Sequence, residues 1–142
     1  MSIDCIIRMY DICIVGGGQS GITTCKTFSE KGYNVIVLEQ SENCNGMFCN
    51  IKEKDYFRWS TSSYMSGFSD FPMDTTNSWF TINDYVVYLK AYMKKFNLYK
   101  FMKYGCLVTN TRQDNDQTWE VEYNENGMTN NVLRCKKLII VQ

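Results

Sequence analysis

The sequence predicts an α/β fold with a parallel central sheet, one crossover helix and a small antiparallel β-meander, on three observations. Two short apolar runs, residues 10–15 and 34–39, have the length and β-branched content of buried strands, and a helix-patterned stretch, 20–31, separates them. A glycine-rich turn, Gly16-Gly17-Gly18-Gln19-Ser20-Gly21, joins the first run to that stretch. A third apolar run, Leu138-Ile139-Ile140-Val141, has the character of a strand at the centre of a sheet.

Each element has its own local reason. Tyr10-Asp11-Ile12-Cys13-Ile14-Val15 is the first strand. In the helix that follows, Ile22, Cys25 and Phe28 recur at the spacing of one inner face. Gly32 ends the helix, and Asn34-Val35-Ile36-Val37-Leu38-Glu39 is the second strand, reached by a right-handed parallel crossover. Residues 41–80, rich in Ser, Thr, Asn and aromatics, are expected to be irregular. Thr81-Ile82-Asn83-Asp84 resembles a capping box and opens a helix to about Asn97. Tyr85, Tyr88, Leu89, Tyr92, Met93 and Phe96 form the packing stripe of that helix, and Lys90, Lys94 and Lys95 suit its C-terminal end. Three extended pieces come next, at 105–111, 118–123 and 132–136, with Asn124-Glu125-Asn126-Gly127 as the turn between the last two. They make the meander, after which 138–141 re-enters the main sheet.

Composition narrows the function. The 142 residues make one domain with a real core, and a 44% apolar fraction argues against disorder. Fifteen basic and fifteen acidic residues cancel, so the one-signed field used to bind nucleic acid or an anionic membrane is absent. No apolar run approaches the ~20 residues of a membrane span. Residues 1–10 mix charges into their apolar positions and lack a signal-peptide layout. Seven cysteines, at 5, 13, 25, 44, 49, 106 and 135, are an odd number with no C-x-x-C pair, and histidine is absent. Reduced thiols, no metal site and a cytoplasmic location are therefore expected.

The chemistry starts at the glycines. Gly16 permits the tight turn, Gly18 lets backbone approach a pyrophosphate, and Gly21 allows helix to pack closely on strand. Gly17, Gln19 and Ser20 complete the loop. Glu39 closes the second strand at the spacing of a carboxylate that accepts from ribose hydroxyls, with Gln40 beside it. That carboxylate repels a 2′-phosphate, so an ADP-like group is expected in a Rossmann-like dinucleotide unit; FAD and NAD are not distinguished by these residues.

Later motifs distinguish them. Asn45-Gly46-Met47-Phe48 resembles the G-G-x-W segment of FAD-dependent oxygenases. Thr61-Ser62-Ser63 and Phe68-Ser69-Asp70-Phe71-Pro72-Met73 resemble the T-S-S-K and F-S-D-F-P-M stretches of flavin-containing monooxygenases. Tyr92 to Leu98 is similar to that family's Y-x-x-x-F-x-L, and Val108, Trp119-Glu120-Val121 and Lys137 to Val141 fall where the family has counterparts. The resemblance implies FAD as cofactor and NADPH as reductant. It further implies a small-molecule substrate, a soft nucleophile such as an amine nitrogen or a sulfur, that receives one atom of O₂. Gly16, Gly17, Gly18, Gln19, Ser20, Gly21, Glu39, Gln40, Gly46, Met47, Phe48, Thr61, Ser62 and Val108 are the implied cofactor-binding residues. No catalytic acid or nucleophile is implied, since the cofactor carries the chemistry. Asn45 stands where the family has a first glycine, and Tyr64 where it has a lysine. The flavin-facing asparagine of the animal enzymes falls on Ser60 or Thr61, depending on which motif is aligned.

A C-x4-C pair, Cys44 and Cys49, is compatible with a disulfide reductase, but it flanks a turn where such pairs usually sit on a helix. The alternative of another class is a non-catalytic dinucleotide-binding or interaction module that kept the fold. Only Gln142 follows the last strand. The resemblance thus implies the N-terminal, C-terminally truncated portion of a larger enzyme, a single incomplete FAD-binding domain (1–142) whose NADPH-binding domain lies beyond. Such a chain is not expected to turn over NADPH alone, and association through its cut edge or with a complementing chain is expected.

Overall fold

Val35-Ile36-Val37-Leu38 is buried at every position, as a strand must be when both faces of its sheet are covered. The computed structural model describes residues 8–42, 46–51, 56–74, 76 and 79–141. Cys5, Cys44, Asn45 and Gln142 lie outside the described residues, as does the side chain of Cys49. The chain forms two compact units, one of Met1–Gly46 with Lys100–Gln142, the other of Met47–Tyr99.

The first unit holds the sheet. Strand β1 (Met9–Val15) leads through the glycine turn to helix α1 (Gln19–Glu30), which returns to β2 (Val35–Leu38). β1 pairs parallel with β2, Ile12 opposite Val35, and on its other side with the last strand, Cys13 opposite Leu138. The expected parallel core is therefore present. The meander is not a separate piece, however. The two extended stretches expected at 132–136 and 138–141 are one strand, β6 (Met128–Ile140). Its first part pairs antiparallel with β5 (Trp119–Glu125), and its second part runs parallel to β1. Lys136 and Lys137 break the apolar pattern because their side chains are exposed, one reaching Asp11 at 2.7 Å, while the backbone stays paired. With β3 (Met102–Lys103) and β4 (Cys106–Gln113), the order is β3-β2-β1-β6-β5-β4. The two-residue β3 was not expected; it is too short to show a pattern.

Cys13, Ile36, Leu38, Cys106, Val121, Tyr123, Leu133 and Cys135 form the core of this sheet. Ile12, Ile14, Val35 and Val37 alternate to the other side, and α1 packs on β1 and β2 with Ile22 and Cys25 fully buried. Burying one such aliphatic side chain contributes about 1.5–3 kcal/mol. Phe28 is half-buried against Tyr33, ring centroids 5.8 Å apart.

The second unit, expected to be irregular up to residue 80, contains a 3-10 turn (Met47–Asn50) and a single helical turn, α2 (Ser63–Ser66), before helix α3 (Ile82–Lys95). The capping box is present: Thr81 accepts from the Asp84 N–H, and the Asp84 carboxylate accepts from the Thr81 N–H. Helix α3 stops two residues before the expected end because Asn97 adopts a left-handed conformation, φ 52°, and Leu98 donates back to the Met93 carbonyl. Its stripe of Tyr85, Tyr88, Leu89, Tyr92 and Met93 is buried as expected. Phe48, Trp59 and Phe80 gather on Tyr85, and Phe68 and Phe71 on Tyr88 and Tyr92. The Tyr88 hydroxyl accepts from the Phe68 N–H and donates to the Phe71 carbonyl, both at 2.6 Å, and so closes the turn between them.

Candidate functional site

At the C-terminal end of β1 the chain must turn sharply to start α1, and two glycines make that turn possible. Gly16 has φ +106°, and a Cβ there would lie 2.1 Å from the Val141 carbonyl oxygen. A Cβ on Gly21 would lie 2.0 Å from the Gly16 oxygen. Both glycines are demanded by the packing of helix on sheet. Gly18 is different. A Cβ there would meet only the Gly46 Cα, at an ordinary 3.6 Å. Gly46 itself has φ +75°, and its own Cβ would come within 2.8 Å of the Gly18 Cα. Room for a carbon is thus left between two bare backbones at the first turn of α1.

That turn has no acidic side chain of its own. Gly18 is the N-cap and provides no side-chain cap. The partial positive charge of a helix N-terminus suits an anion. Gln19 and Ser20 are exposed there.

Across the loop stands Glu39, only 4% exposed. Its Oε2 accepts from the Gly17 N–H at 2.7 Å and its Oε1 from the Ser41 N–H at 2.8 Å. Its backbone is held too, the N–H donating to the Lys103 carbonyl and the carbonyl accepting from the Cys106 N–H, each at 2.9 Å. These bonds draw the end of β3 and the start of β4 to the end of β2. Gln40, next in the chain, is exposed.

The structure brings Gly16, Gly17, Gly18, Gln19, Ser20, Gly21, Glu39 and Gly46 to one end of the sheet. Val108 lies on β4, its side chain against the sheet core and its backbone at a register shift between Val108 and Asn110. Met47, Phe48, Ser60, Thr61 and Ser62 belong to the second unit. There Met47 is exposed, and Phe48 packs edge-on against Trp59 and Tyr85. The Thr61 hydroxyl lies 2.5 Å from that of Ser66, and the Ser62 carbonyl accepts from the Ser66 hydroxyl and the Met65 N–H. Ser60 is exposed. Sequence reasoning missed Ser41, which holds Glu39 through its backbone; Val141, whose carbonyl faces Gly16; and Met102, whose methyl lies 2.8 Å from a Cβ placed on Gly17. No sequence signal marks them, because two act through backbone and one by shape.

Other ionisable groups of the sheet unit are structural. A hydrogen bond with Cys135, then burial, pushes the Cys13 thiol far up, and burial pushes Cys25 up to about 11. Burial opposes the charge of Lys103, but its bonds to Tyr123 and Glu125 outweigh that and hold its pKa above the usual lysine value. No cluster able to hold a metal ion occurs among the described residues, and no described helix is long and apolar enough to cross a membrane.

A parallel β-α-β unit with a glycine turn, an uncapped helix start and a buried acid ending the second strand defines a dinucleotide-binding α/β protein. The family model for flavin-binding monooxygenase-like proteins matches residues 9–136. The chain belongs to that family. It is 32% identical over 112 residues to a 4-hydroxybenzoate brominase (decarboxylating) from Marinomonas mediterranea, a match covering 78% of this chain and 22% of that protein. It is 29% identical over 131 residues to flavin-containing monooxygenase 5 of Cavia porcellus, covering 83% and 25% respectively. Its fold superposes on cyclohexanone monooxygenase from Rhodococcus sp. Phi1, solved bound to NADP+, with TM-score 0.83 and 22% identity over 95% of this chain and 26% of that one. The chain thus spans about a quarter of the length of these relatives.

Proposed function

We propose that residues 1–142 are the FAD-binding portion of a flavin-dependent monooxygenase. The observation that carries this reading is Gly18. Gly16 and Gly21 are explained by the chain's own packing, but the bare backbone at Gly18 has no such need. A group from outside explains it, and the uncapped start of α1 favours a phosphate. In this reading Gly16, Gly18, Gln19, Ser20 and Gly21 hold the pyrophosphate with Gly17 completing the loop, Glu39 and Gln40 the ribose, Gly46, Met47 and Phe48 the flavin side, and Thr61, Ser62 and Val108 complete the contacts. Bound FAD supplies redox chemistry that the side chains lack; the chain's part is to bind and orient it.

The reaction proposed for the whole enzyme takes NADPH, a proton, O₂ and a soft nucleophile to NADP+, water and the oxygenated nucleophile. An amine nitrogen or a sulfur is the expected acceptor. A cytoplasmic location is part of the proposal and suits the buried free thiols of Cys13, Cys25, Cys106 and Cys135.

The test is a fluorescence titration of the purified chain with FAD, with NAD and NADP+ as competitors. Saturable FAD binding, tighter than either nicotinamide dinucleotide, is expected. Absence of FAD binding, or tighter binding of NAD, overturns the reading.

A further inference from the structure

A buried carboxylate at the end of an apolar strand is costly unless hydrogen bonds satisfy it. For Glu39 both oxygens are met by backbone N–H groups, Gly17 at 2.7 Å and Ser41 at 2.8 Å. With its own N–H and carbonyl tied to Lys103 and Cys106, the residue has no freedom to swing. The bond to Gly17 spans 22 residues of sequence and joins the end of β2 to the loop after β1. Gly17 lies between the glycine that makes the turn and the glycine left bare, so whatever holds its N–H sets the shape of the whole loop.

We infer that Glu39 is a positioning residue: it latches the glycine loop into its anion-receiving shape in the nucleotide-free chain, beyond any bond it offers a ribose. A carboxylate has about four lone-pair sites. Two are used by the latch, which leaves one on each oxygen for a neighbouring diol. The loop's ordering is then met during folding instead of at binding, which raises affinity without a new contact to the ligand. The consequence for affinity rests on the nucleotide reading proposed for this site; the latch itself does not. The test therefore has two separate readouts.

Amide hydrogen exchange at Gly17 and Ser41 is measured by NMR in the nucleotide-free 142-residue chain, for wild type, Glu39→Gln and Glu39→Asp, beside FAD affinity. Gln offers one oxygen and one NH₂, so one of the two amides loses its acceptor. Asp keeps the charge but is one methylene too short to reach Gly17. Exchange at an orphaned amide is expected to quicken about tenfold to a hundredfold, and FAD affinity to fall in Glu39→Asp although the carboxylate is retained. Wild-type exchange rates at both amides in both variants overturn the latch, even if FAD binding weakens, because Glu39 then acts only on the ligand. Quickened exchange in a chain that binds no FAD upholds the latch and overturns the nucleotide reading. Ile14 and Val37, deep in the sheet, are the control: their exchange stays at wild-type rates in at least one variant if the latch is local, and loosening of the whole sheet in both counts against it.

Discussion

Helix α1 starts at a glycine that offers its first turn no side chain, whereas α3 starts at Thr81 and Asp84, which exchange hydrogen bonds with each other's backbone. The same contrast runs through the surrounding structure. Around α1 the close contacts are between backbones: Gly16 with Val141, Gly21 with Gly16, Gly46 with Gly18. Around α3 they are between rings, and the Tyr88 hydroxyl serves two backbone groups. One region is damaged by adding a methyl group, the other by taking a ring away. A helix start closed by its own side chains has a structural task; α1 starts at a glycine without a side-chain cap, and the partial charge of such an end suits an anion.

Four predictions would break or sharpen this contrast. The largest effect is expected at Tyr92, 2% exposed and packed on Phe68, Phe71 and Phe96. Tyr92→Ala should destabilise by about 3–5 kcal/mol, read from the urea midpoint. Next is Gly21→Ala, where the new Cβ would meet the Gly16 oxygen at 2.0 Å. A loss of about 3 kcal/mol is expected; a neutral outcome would mean that the helix start can shift, and would end the claim that backbone contact governs this region.

Gly18→Ala divides stability from binding. With only the Gly46 Cα at 3.6 Å from the new carbon, its unfolding midpoint should shift by less than about 0.5 kcal/mol. FAD affinity, measured by calorimetry, should fall about tenfold or more if the proposed site is right, because the carbon then takes room the pyrophosphate needs. Unchanged affinity would make Gly18 an ordinary turn residue.

The smallest effect is at the closed helix. Thr81→Ala should cost about 1 kcal/mol, and the cap should fade in acid. The backbone N–H and then the hydroxyl of Thr81 hold Asp84 below its ordinary value of 3.8. A depressed carboxylate contributes stability that is present above its unfolded pKa and is lost as pH falls through the folded one. The loss therefore lies below about pH 4. Asp84→Asn should flatten the acid limb of the α3 unfolding curve followed by circular dichroism between pH 6 and 2.

Much of both regions was legible in the amino-acid sequence. Glycine spacing, the acid at the end of an apolar strand and the threonine–aspartate pair are signals within a few residues, and local backbone geometry decides what such signals mean. Long-range pairing left weaker marks. Lys136-Lys137 read as a break in the pattern, yet β6 runs through them, because strand continuity depends on partners β1 and β5 and not on which way two side chains point. The sequence assigned separate roles to Gly16, Gly18 and Gly21, but not the contacts that impose them. Gly16 and Gly21 serve the fold and Gly18 does not, a difference that exists only once Val141, distant in the chain, has come to lie against the turn. By itself, then, the sequence determined the parallel unit, the capping box of α3 and the glycine pattern of the loop, since these follow from propensity, periodicity and local spacing. Tertiary structure alone decided that Glu39 holds Gly17 while its backbone joins β3 and β4. A hydrogen bond between groups far apart in the chain has no local pattern to announce it, and forms only where the packed sheet brings donor and acceptor within reach.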